Sequence, residues 1–277
     1  MKLFGYKPPL TAWVGLAIIV LFVFVAIFAD FIAPYGEAES VGQTWDDPSF
    51  ANWLGTDNIG RDLLSRLIFG ARMTIGVALV TTILSFFIGI TTGFMAAVGG
   101  PVIDQILSRL VDVMLSIPLL IFALIILSVF GSSISTLVLT LAILDSTRVF
   151  RLARAVATNL AVMEYVEAAR LRGEGLWWIM RREILPNALP PMISEFGLRF
   201  CFNFLFVASL SFLGLGIQPP FADWGGMVRD NGKAISFGLS APLWPAIAIA
   251  TMTVGVNLVV DWILSINSRP SGASAEM

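Results

Sequence analysis

The residues from Glu167 to Asn187 have the types and spacing expected of a protein-docking segment rather than of a membrane span. Their sequence, EAARLRGEGLWWIMRREILPN, is polar and lies between stretches that are hydrophobic enough for a membrane. Glu167, Ala168 and Ala169 begin a helical run, and the two alanines leave a surface that another protein can approach closely. Gly173 can adopt the left-handed conformation that ends a short helix. The segment therefore predicts a short helix, a sharp bend and a second short helix.

The end of this segment is predicted from a proline and an asparagine. Pro186 disfavours helical geometry at Leu185, because the proline ring crowds the preceding residue. Asn187 is then a suitable cap for a helix that begins just beyond it. We therefore expect the second short helix to stop at the proline and a membrane helix to begin near Met192.

The spacing of these residues resembles the coupling loop of bacterial ABC-importer permeases. The pattern is Glu-Ala-Ala, three residues, Gly, nine residues, a variable pair and Leu-Pro. The flanking EYVEAAR and ILPN, and the upstream WLGTDNIGRDLLSRLIFGAR, are similar to the dipeptide, oligopeptide and nickel branch, although Glu183 stands where that branch often has histidine. On this resemblance the coupling loop covers about residues 152–190. Its contact residues would be Glu164, Glu167, Ala168, Ala169, Gly173, Leu185, Pro186 and Asn187.

This resemblance implies an all-α polytopic membrane protein with six transmembrane helices, the type I ABC-importer permease fold and cytoplasmic termini. Such a chain forms half of a pathway for peptides or similar small solutes in the bacterial cytoplasmic (inner) membrane. The implied partners are a second homologous permease, two cytoplasmic ATPase subunits, a periplasmic substrate-binding protein and membrane lipid. The chain itself would bind no cofactor and no metal, since the ATPase subunits bind ATP and Mg. No catalytic residue is implied.

Charged residues inside the apolar stretches form a second group of interest. A charge at the centre of a membrane helix costs about 2.5–3.5 kcal/mol, so each needs a partner or water. Glu195, Arg199 and Asn203 follow one another at intervals of four and therefore share one helix face. The candidates for an intramembrane polar pair are Asp145, Glu195, Arg199, Asn203 and Asp261. We expect Arg199 to pair with Glu195 and with either Asp261 or Asp145; contact with substrate is the alternative.

The composition excludes several classes of protein. Of the 277 residues 57% are hydrophobic and 13% charged, and the mean hydropathy is +0.86, which is typical of a membrane protein. A net charge of −2 argues against nucleic-acid binding. One cysteine and no histidine exclude an intrachain disulfide, a zinc site and a histidine-based triad. The chain also lacks the G-x-x-x-x-G-K-[ST] phosphate loop, so ATP would have to be bound by another polypeptide.

Uncharged runs long enough to cross the membrane predict six helices. We place them at Ala12–Ala29, Met73–Val98, about Asp104 to a turn at Gly131, from that turn to about Arg151, about Met192–Gly216 and about Leu243–Ile266. The first run exceeds the core of a typical signal peptide, although cleavage after it is the alternative. Within the second run, Gly89 and Gly93 indicate a close helix-packing seam. Pro118 could kink the third helix.

Lysine and arginine placement predicts the orientation. With the N-terminus inside, eleven of these residues are cytoplasmic and five external, which places the docking segment in the cytoplasm. The stretch before the second span, with Arg61 and Arg66 on one face and leucines on the other, predicts an amphipathic surface helix or a packed connector helix. The corresponding division is residues 1–72, containing the first helix, an external loop and this segment, and residues 73–277, the five-helix core.

Two other classes of protein remain as alternatives to the ABC importer. A secondary transporter or channel driven by an ion gradient would be expected to contain inverted repeats and broken helices around a midplane ion site, and no such symmetry is visible in the sequence. An intramembrane enzyme would need a serine–histidine, metal or paired-aspartate centre, for which the chain offers no candidates.

Overall fold

Helices make up nearly all of the regular structure in the part of the chain that the computed structural model describes, residues 8–267. In this range the β-type pairings are two isolated bridges, Ser40 with Arg61 and Thr56 with Asp62, in the segment between α2 and α3. The α-helices are α1 (Leu10–Ile27), α2 (Ala29–Ile32), α3 (Leu63–Val98), α4 (Pro101–Leu115), α5 (Leu119–Phe130), α6 (Ile134–Ala161), α7 (Glu164–Leu171), α8 (Leu176–Ile179), α9 (Leu185–Phe212), α10 (Trp224–Asp230) and α11 (Leu243–Asn267). A π-helical turn covers Met180–Ile184, and a 3-10 helix covers Gly232–Phe237.

Four helical stretches within residues 8–267 are long and apolar enough to cross a membrane. They are α1, α3, the continuous stretch Leu176–Phe212 and α11, and the bent pair α4–α5 would make a fifth. The fourth predicted span, from the turn at Gly131 to about Arg151, corresponds to α6, a helix of 28 residues that carries several arginines. The fold is therefore all-helical with four or five apolar spans, and the count of six stays a prediction. Lys2, Lys7 and Arg269, which contributed to the predicted orientation of the termini, lie outside the described residues.

The predicted third span is not one helix. α4 and α5 are separated at residues 116–118 and differ in direction by 86°, so Pro118 coincides with a full break rather than a kink. The residue before a proline is disfavoured in helical geometry, which accounts for the position of the break at Ile117. The turn expected at Gly131 is confirmed: Gly131 has φ +83° and lies between α5 and α6.

The prediction that a helix stops at Pro186 is wrong. Leu185 is helical, with φ −55° and ψ −47°, and the helix continues from Leu176 to Phe212. The Leu185 N–H donates to the Met180 carbonyl, as in a π turn. A helical proline clashes with the carbonyl four residues back, and a wider turn relieves that clash. Asn187 does not cap a new helix; its side-chain amide donates to the Glu183 carbonyl at 2.7 Å.

The chain divides into two compact units, and α3 contributes residues to both of them. The first unit combines residues up to Val80 with Leu127–Val138 and the stretch from Phe200 onwards. Its core includes the fully buried Trp224, whose indole N–H donates to the Leu67 carbonyl at 2.9 Å. α1 packs against α11 at a pair of glycines, since a Cβ on Gly15 would lie 2.6 Å from the Gly255 carbonyl oxygen.

The polar residues before the second span are buried in this first unit instead of forming the exposed face of an amphipathic helix. Asp57 is 1% exposed; its carboxylate lies 2.7 Å from Arg61 Nε and 3.3 Å from Arg66 Nε. Asn231 is equally buried and accepts hydrogen bonds from the Trp45 indole and the Asn58 backbone. Arg61 and Arg66 are thus explained by ion pairs with Asp57, and their segment leads into the packed beginning of α3.

The second unit comprises Thr81–Ile126 and Leu139–Arg199. The predicted glycine seam is confirmed here, because a Cβ on Gly89 would lie 2.6 Å from that of Val149 and one on Gly93 would lie 2.8 Å from that of Ala153. Only glycine allows α3 and α6 to approach so closely at these positions. The same packing continues into a buried cluster that holds α7 and the π turn against both helices.

Candidate functional site

The predicted docking segment folds as two short helices, α7 and α8, joined by a glycine bend. Gly173 has φ +81°, and a Cβ there would meet nothing within 4 Å, so the backbone conformation alone requires glycine. The Gly173 N–H donates to the Arg170 carbonyl at 2.9 Å and the Glu174 N–H to the Ala169 carbonyl at 3.2 Å. These two bonds form a Schellman motif, which ends α7 and turns the chain into α8. The bend at Gly173 is as predicted.

One face of α7 is buried and the other is open. Val166 and Ala169 are fully buried, whereas Glu164, Glu167 and Ala168 are exposed. The two alanines therefore differ: Ala169 packs into the protein and only Ala168 belongs to the accessible surface. This separation leaves an acidic, small-residue face open to a partner.

The buried face ties the segment to the rest of its unit. Val166 and Ala169 from α7 join Ile179, Met180 and Ile184 in one cluster with residues of α3 and α6. Burial of several aliphatic side chains at one place stabilises the attachment by a few kcal/mol. Leu185 is half-buried beside the cluster, and Pro186 and Asn187 are exposed. The two short helices are thus fixed to the helices that follow and precede them.

Arg172 organises the charges of the bend. Its guanidinium lies 3.8 Å from a Glu183 carboxylate oxygen and 4.0 Å from one of Glu174, and it stacks 5.8 Å from the centre of the Trp178 ring. Glu183, the residue that departs from the related branch, is therefore an acidic partner for an arginine. Sequence patterns did not identify this contact, because its members are separated by the bend.

The ion pairs expected for Arg199 are found in the second unit. Arg199 Nε lies 2.6 Å from Glu195 Oε1, one helical turn earlier, and Arg199 Nη1 lies 3.5 Å from Asp145 Oδ1 on α6. Ser85 on α3 donates to the other oxygen of Asp145 at 3.1 Å. Asp145 is 1% exposed, and three helices therefore meet at one charged cluster. Ser85 was missed because a lone serine in an apolar run carries no distinctive pattern.

The other two polar candidates occupy different places. Asn203 is buried at 1% exposure on α9, and Asp261 is exposed on α11. Of the two aspartates considered for Arg199, Asp145 is the partner.

A second set of ion pairs joins α4 to α6. Arg154 binds both carboxylate oxygens of Asp104, one of them at 2.6 Å, and Arg151 lies 2.9 Å from Asp112. These pairs border a polar cleft of about 420 Å³. They escaped prediction because the partners are 39 and 50 residues apart.

Comparison with known proteins gives a consistent result. The family described as binding-protein-dependent transport system inner membrane component matches residues 89–269, and the N-terminal TM domain of oligopeptide transport permease C matches residues 11–51. The chain is 38% identical to the dipeptide transport system permease protein DppC of Escherichia coli, over 90% of this chain and 86% of that protein. It is 34% identical to DppC of Alkalihalophilus pseudofirmus, over 90% and 83%, respectively.

A further relative and a solved structure extend the comparison. The glutathione transport system permease protein GsiD of Pectobacterium atrosepticum is 31% identical over 88% of this chain and 81% of its own length. The crystal structure of an amino acid ABC transporter with histidines superposes with a TM-score of 0.53 at 22% identity, covering 72% of this chain and 92% of that chain. At that identity the superposition concerns the fold alone.

Proposed function

Because this chain belongs to the family of inner membrane components of binding-protein-dependent transport systems, as a DppC/OppC-type ABC permease, we propose that it forms half of an import pathway for peptides or similar small solutes. The family is one of membrane permeases, so the chain is a multi-pass membrane protein and not itself an enzyme. Family membership also favours the ABC importer over a transporter driven by an ion gradient.

The proposed coupling site is the exposed face of α7 and the bend that follows it. The observation that carries this proposal is the combination of an open acidic face, formed by Glu164, Glu167 and Ala168, with a buried face packed on α3 and α6. A surface that must transmit force needs both a contact for the partner and a rigid attachment to the moving helices. The α7–α8 pair has both.

The helix that continues from α8 into α9 supports a lever-like transmission. From Trp177 to Arg199 it is uninterrupted, a distance of roughly 33 Å at 1.5 Å per residue. Arg199 in turn contacts α6 through Asp145, so a displacement of α8 would reach a charged contact within the bundle. ATP can drive such a change only if the ATPase subunits favour one of the two conformations when it is bound.

The partners follow from this assignment. We propose two cytoplasmic ATPase subunits that bind ATP and Mg, a second homologous permease that completes the pathway and a periplasmic protein that delivers substrate. We also propose six spans in the bacterial inner membrane with both termini in the cytoplasm. Selection among dipeptides, other peptides and glutathione would then rest largely on the delivering protein.

The coupling proposal is tested by disrupting the bend in the assembled transporter. Gly173→Pro removes the N–H that bonds to Arg170 and cannot adopt φ +81°, and Glu167→Lys reverses a charge on the open face. We expect each variant to lower ATP-dependent uptake into proteoliposomes at least tenfold, because the partner contact is lost while the membrane helices stay folded. Gly175→Ala is the matched control, since Gly175 has φ −73° and open space at its Cβ. Full uptake by Gly173→Pro with the ATPase subunits still bound would contradict the proposal.

A further inference from the structure

An apolar groove of about 290 Å³ lies in the second unit between α3 and the start of the long Leu176–Phe212 helix. Phe86, Phe87, Ile90 and Phe94 line it from α3, and Trp177 and Met180 line it from the other side. Phe94 forms a buried floor at 2% exposure, whereas Phe87 and Trp177 are 67% and 61% exposed at the edges. The groove is thus open at its edges and lined mainly by aromatic and aliphatic side chains.

Two of the residues that line this groove are polar, and only one of them is available to a ligand. The Thr91 hydroxyl donates to the Phe87 carbonyl at 2.6 Å and is therefore engaged within its own helix. The other is Arg181, whose side chain is exposed at the edge. None of the ion pairs found among residues 8–267 includes Arg181, although Arg172 nearby is paired with Glu174 and Glu183. An unpaired guanidinium therefore stands beside an apolar channel.

The positions of the lining residues along α3 show how the apolar lining extends relative to Arg181. Phe86 and Phe94 are eight residues apart, so the apolar lining extends roughly 12 Å along the helix axis. Trp177 and Arg181 belong to the segment that we assign to the cytoplasmic side. Tryptophan is enriched at the membrane–water interface, and arginine there binds the phosphates of anionic headgroups. The cationic edge and the apolar lining thus complement the headgroup and the acyl chain of an anionic phospholipid in the cytoplasmic leaflet.

We propose that this groove binds one anionic phospholipid of the cytoplasmic leaflet, with an acyl chain along Phe86–Phe94 and the headgroup phosphate on Arg181. The cationic edge favours a lipid over a second protein chain, because a packed helix would leave the guanidinium beside apolar side chains without a counter-ion. Large aromatic side chains also suit a flexible chain better than a helix, for which small residues are the usual contact. A lipid held there would contact α3 and the π turn beside α8 together.

The test uses the complete transporter in nanodiscs and phospholipids with a photoreactive acyl chain. Labelled peptides are identified by mass spectrometry for phosphatidylglycerol and for phosphatidylcholine, which has the same chains but no net charge. We expect phosphatidylglycerol to label the Phe86–Phe94 or Trp177–Leu185 peptides about fivefold more than phosphatidylcholine, as one interfacial arginine would provide. Arg181→Ala should reduce labelling by phosphatidylglycerol to the level found with phosphatidylcholine. Ile90→Trp, which fills the groove, should abolish labelling by both lipids.

Arg182→Ala is the matched control, since Arg182 is adjacent and exposed but does not line the groove. It should leave the preference for phosphatidylglycerol unchanged. Equal labelling by the two lipids in the wild type, or equal effects of Arg181→Ala and Arg182→Ala, would overturn the proposal. A photoreactive amino acid at Phe87 provides a second readout: a cross-link to lipid supports the lipid site, and a cross-link to the second permease shows that a protein covers the groove instead. This readout is independent of transport activity, so it distinguishes failure of the lipid site from failure of the coupling proposal.

Discussion

Arg199 carries a charge that the apolar surroundings tolerate only because two carboxylates and a serine converge on it and on its partner. The Glu195 contact at 2.6 Å is within one helix, and the Asp145 contact at 3.5 Å joins α9 to α6. Removing the cation alone leaves two carboxylates with like charge close together. Removing only Arg199 should therefore lower the stability of the protein more than removing all three charges of the cluster.

We predict that Arg199→Met will destabilise the permease by about 3 kcal/mol, because a buried pair is costly to break from one side. The triple variant Arg199→Met, Asp145→Asn, Glu195→Gln should recover much of this loss, since no unpaired charge remains. Thermal unfolding of the purified proteins in detergent measures the stability of the single and the triple variant. A triple variant less stable than Arg199→Met would show that the cluster contributes through something other than charge pairing.

The protonation of Asp223 should make the stability of the folded protein depend on pH. It caps α10 by accepting a hydrogen bond from the Gly226 N–H at 2.9 Å, and it is 3% exposed. Burial raises the pKa of this carboxyl above its ordinary value of 3.8, while the bonds from Gly226 and Ser211 oppose the shift less strongly. The folded state therefore holds the proton more tightly than the unfolded state. The contribution of the protonated Asp223 to the stability of the folded protein is complete at pH values below the ordinary pKa. It is lost as the pH rises through the raised pKa of the folded state.

We predict that Asp223→Asn will be as stable as the wild type or more stable at pH 7, because asparagine keeps the cap without a buried charge. This advantage should shrink as the pH is lowered from 7 towards 4, because the raised pKa favours the neutral form of the aspartate at the acid end of that range. Asp223→Ala should be about 1 kcal/mol less stable than Asp223→Asn throughout this range, since neither residue titrates and alanine lacks the cap. Thermal unfolding across this range is the measurement, and a constant difference between Asp223→Asn and the wild type would contradict the assignment.

Among the helices, α3 depends on glycine where it meets α6. Gly93 faces the Phe150 carbonyl and Ala153 at distances that leave no room for a side chain, whereas Gly76 on the same helix has open space at its Cβ. A comparison of alanine substitutions at these two glycines therefore separates the effect of helix packing on stability from the effect of helix propensity. It also bears on the proposed lever, because α3 and α6 hold the buried face of α7.

We predict that Gly93→Ala will destabilise the protein by about 1–3 kcal/mol, the usual cost of overpacking a close contact. Gly76→Ala should be neutral or slightly stabilising, because alanine is the better helix former and meets nothing. The midpoints of thermal unfolding compare the two directly. Equal effects would mean that α3 and α6 do not rely on the glycine for their approach.

At the scale of the whole molecule, the orientation in the membrane is the property that the proposed function requires. The coupling face must lie on the side where ATP is, and the external loop must lie opposite. Arginines concentrated between Arg148 and Arg182 favour the cytoplasm for that segment. In the loop that is expected to lie outside, Asp57 forms a buried cluster with Arg61 and Arg66.

We predict that a reporter fused after Gly175 will be cytoplasmic and that reporters near Asp46 and Gly232 will be periplasmic. The physical reason is the bias of lysine and arginine towards the cytoplasmic side of the spans. Activities of paired reporters, one active only in the cytoplasm and one only in the periplasm, provide the measurement. If Asp46 and Gly175 lay on the same side, the count of six spans would be wrong.

The amino-acid sequence by itself determined the features that depend on local pattern. Apolar runs identified the membrane class, the Gly173 bend followed from its place between two short helical runs, and the spacing of Gly89 and Gly93 indicated the seam. The Glu195–Arg199 pair followed from helical periodicity alone. These features need only residues within one or two turns of each other, so no knowledge of the packing was required.

Only the tertiary structure decided the features that depend on distant neighbours. It selected Asp145 as the partner of Arg199, whereas the sequence left both Asp145 and Asp261 as candidates. It placed a π turn before Pro186, so the helix continues where the proline alone predicted a stop. It buried the polar residues at the start of α3, since Asp57 offers them a partner inside the protein. Each of these outcomes depends on which elements pack together, and local sequence does not specify that.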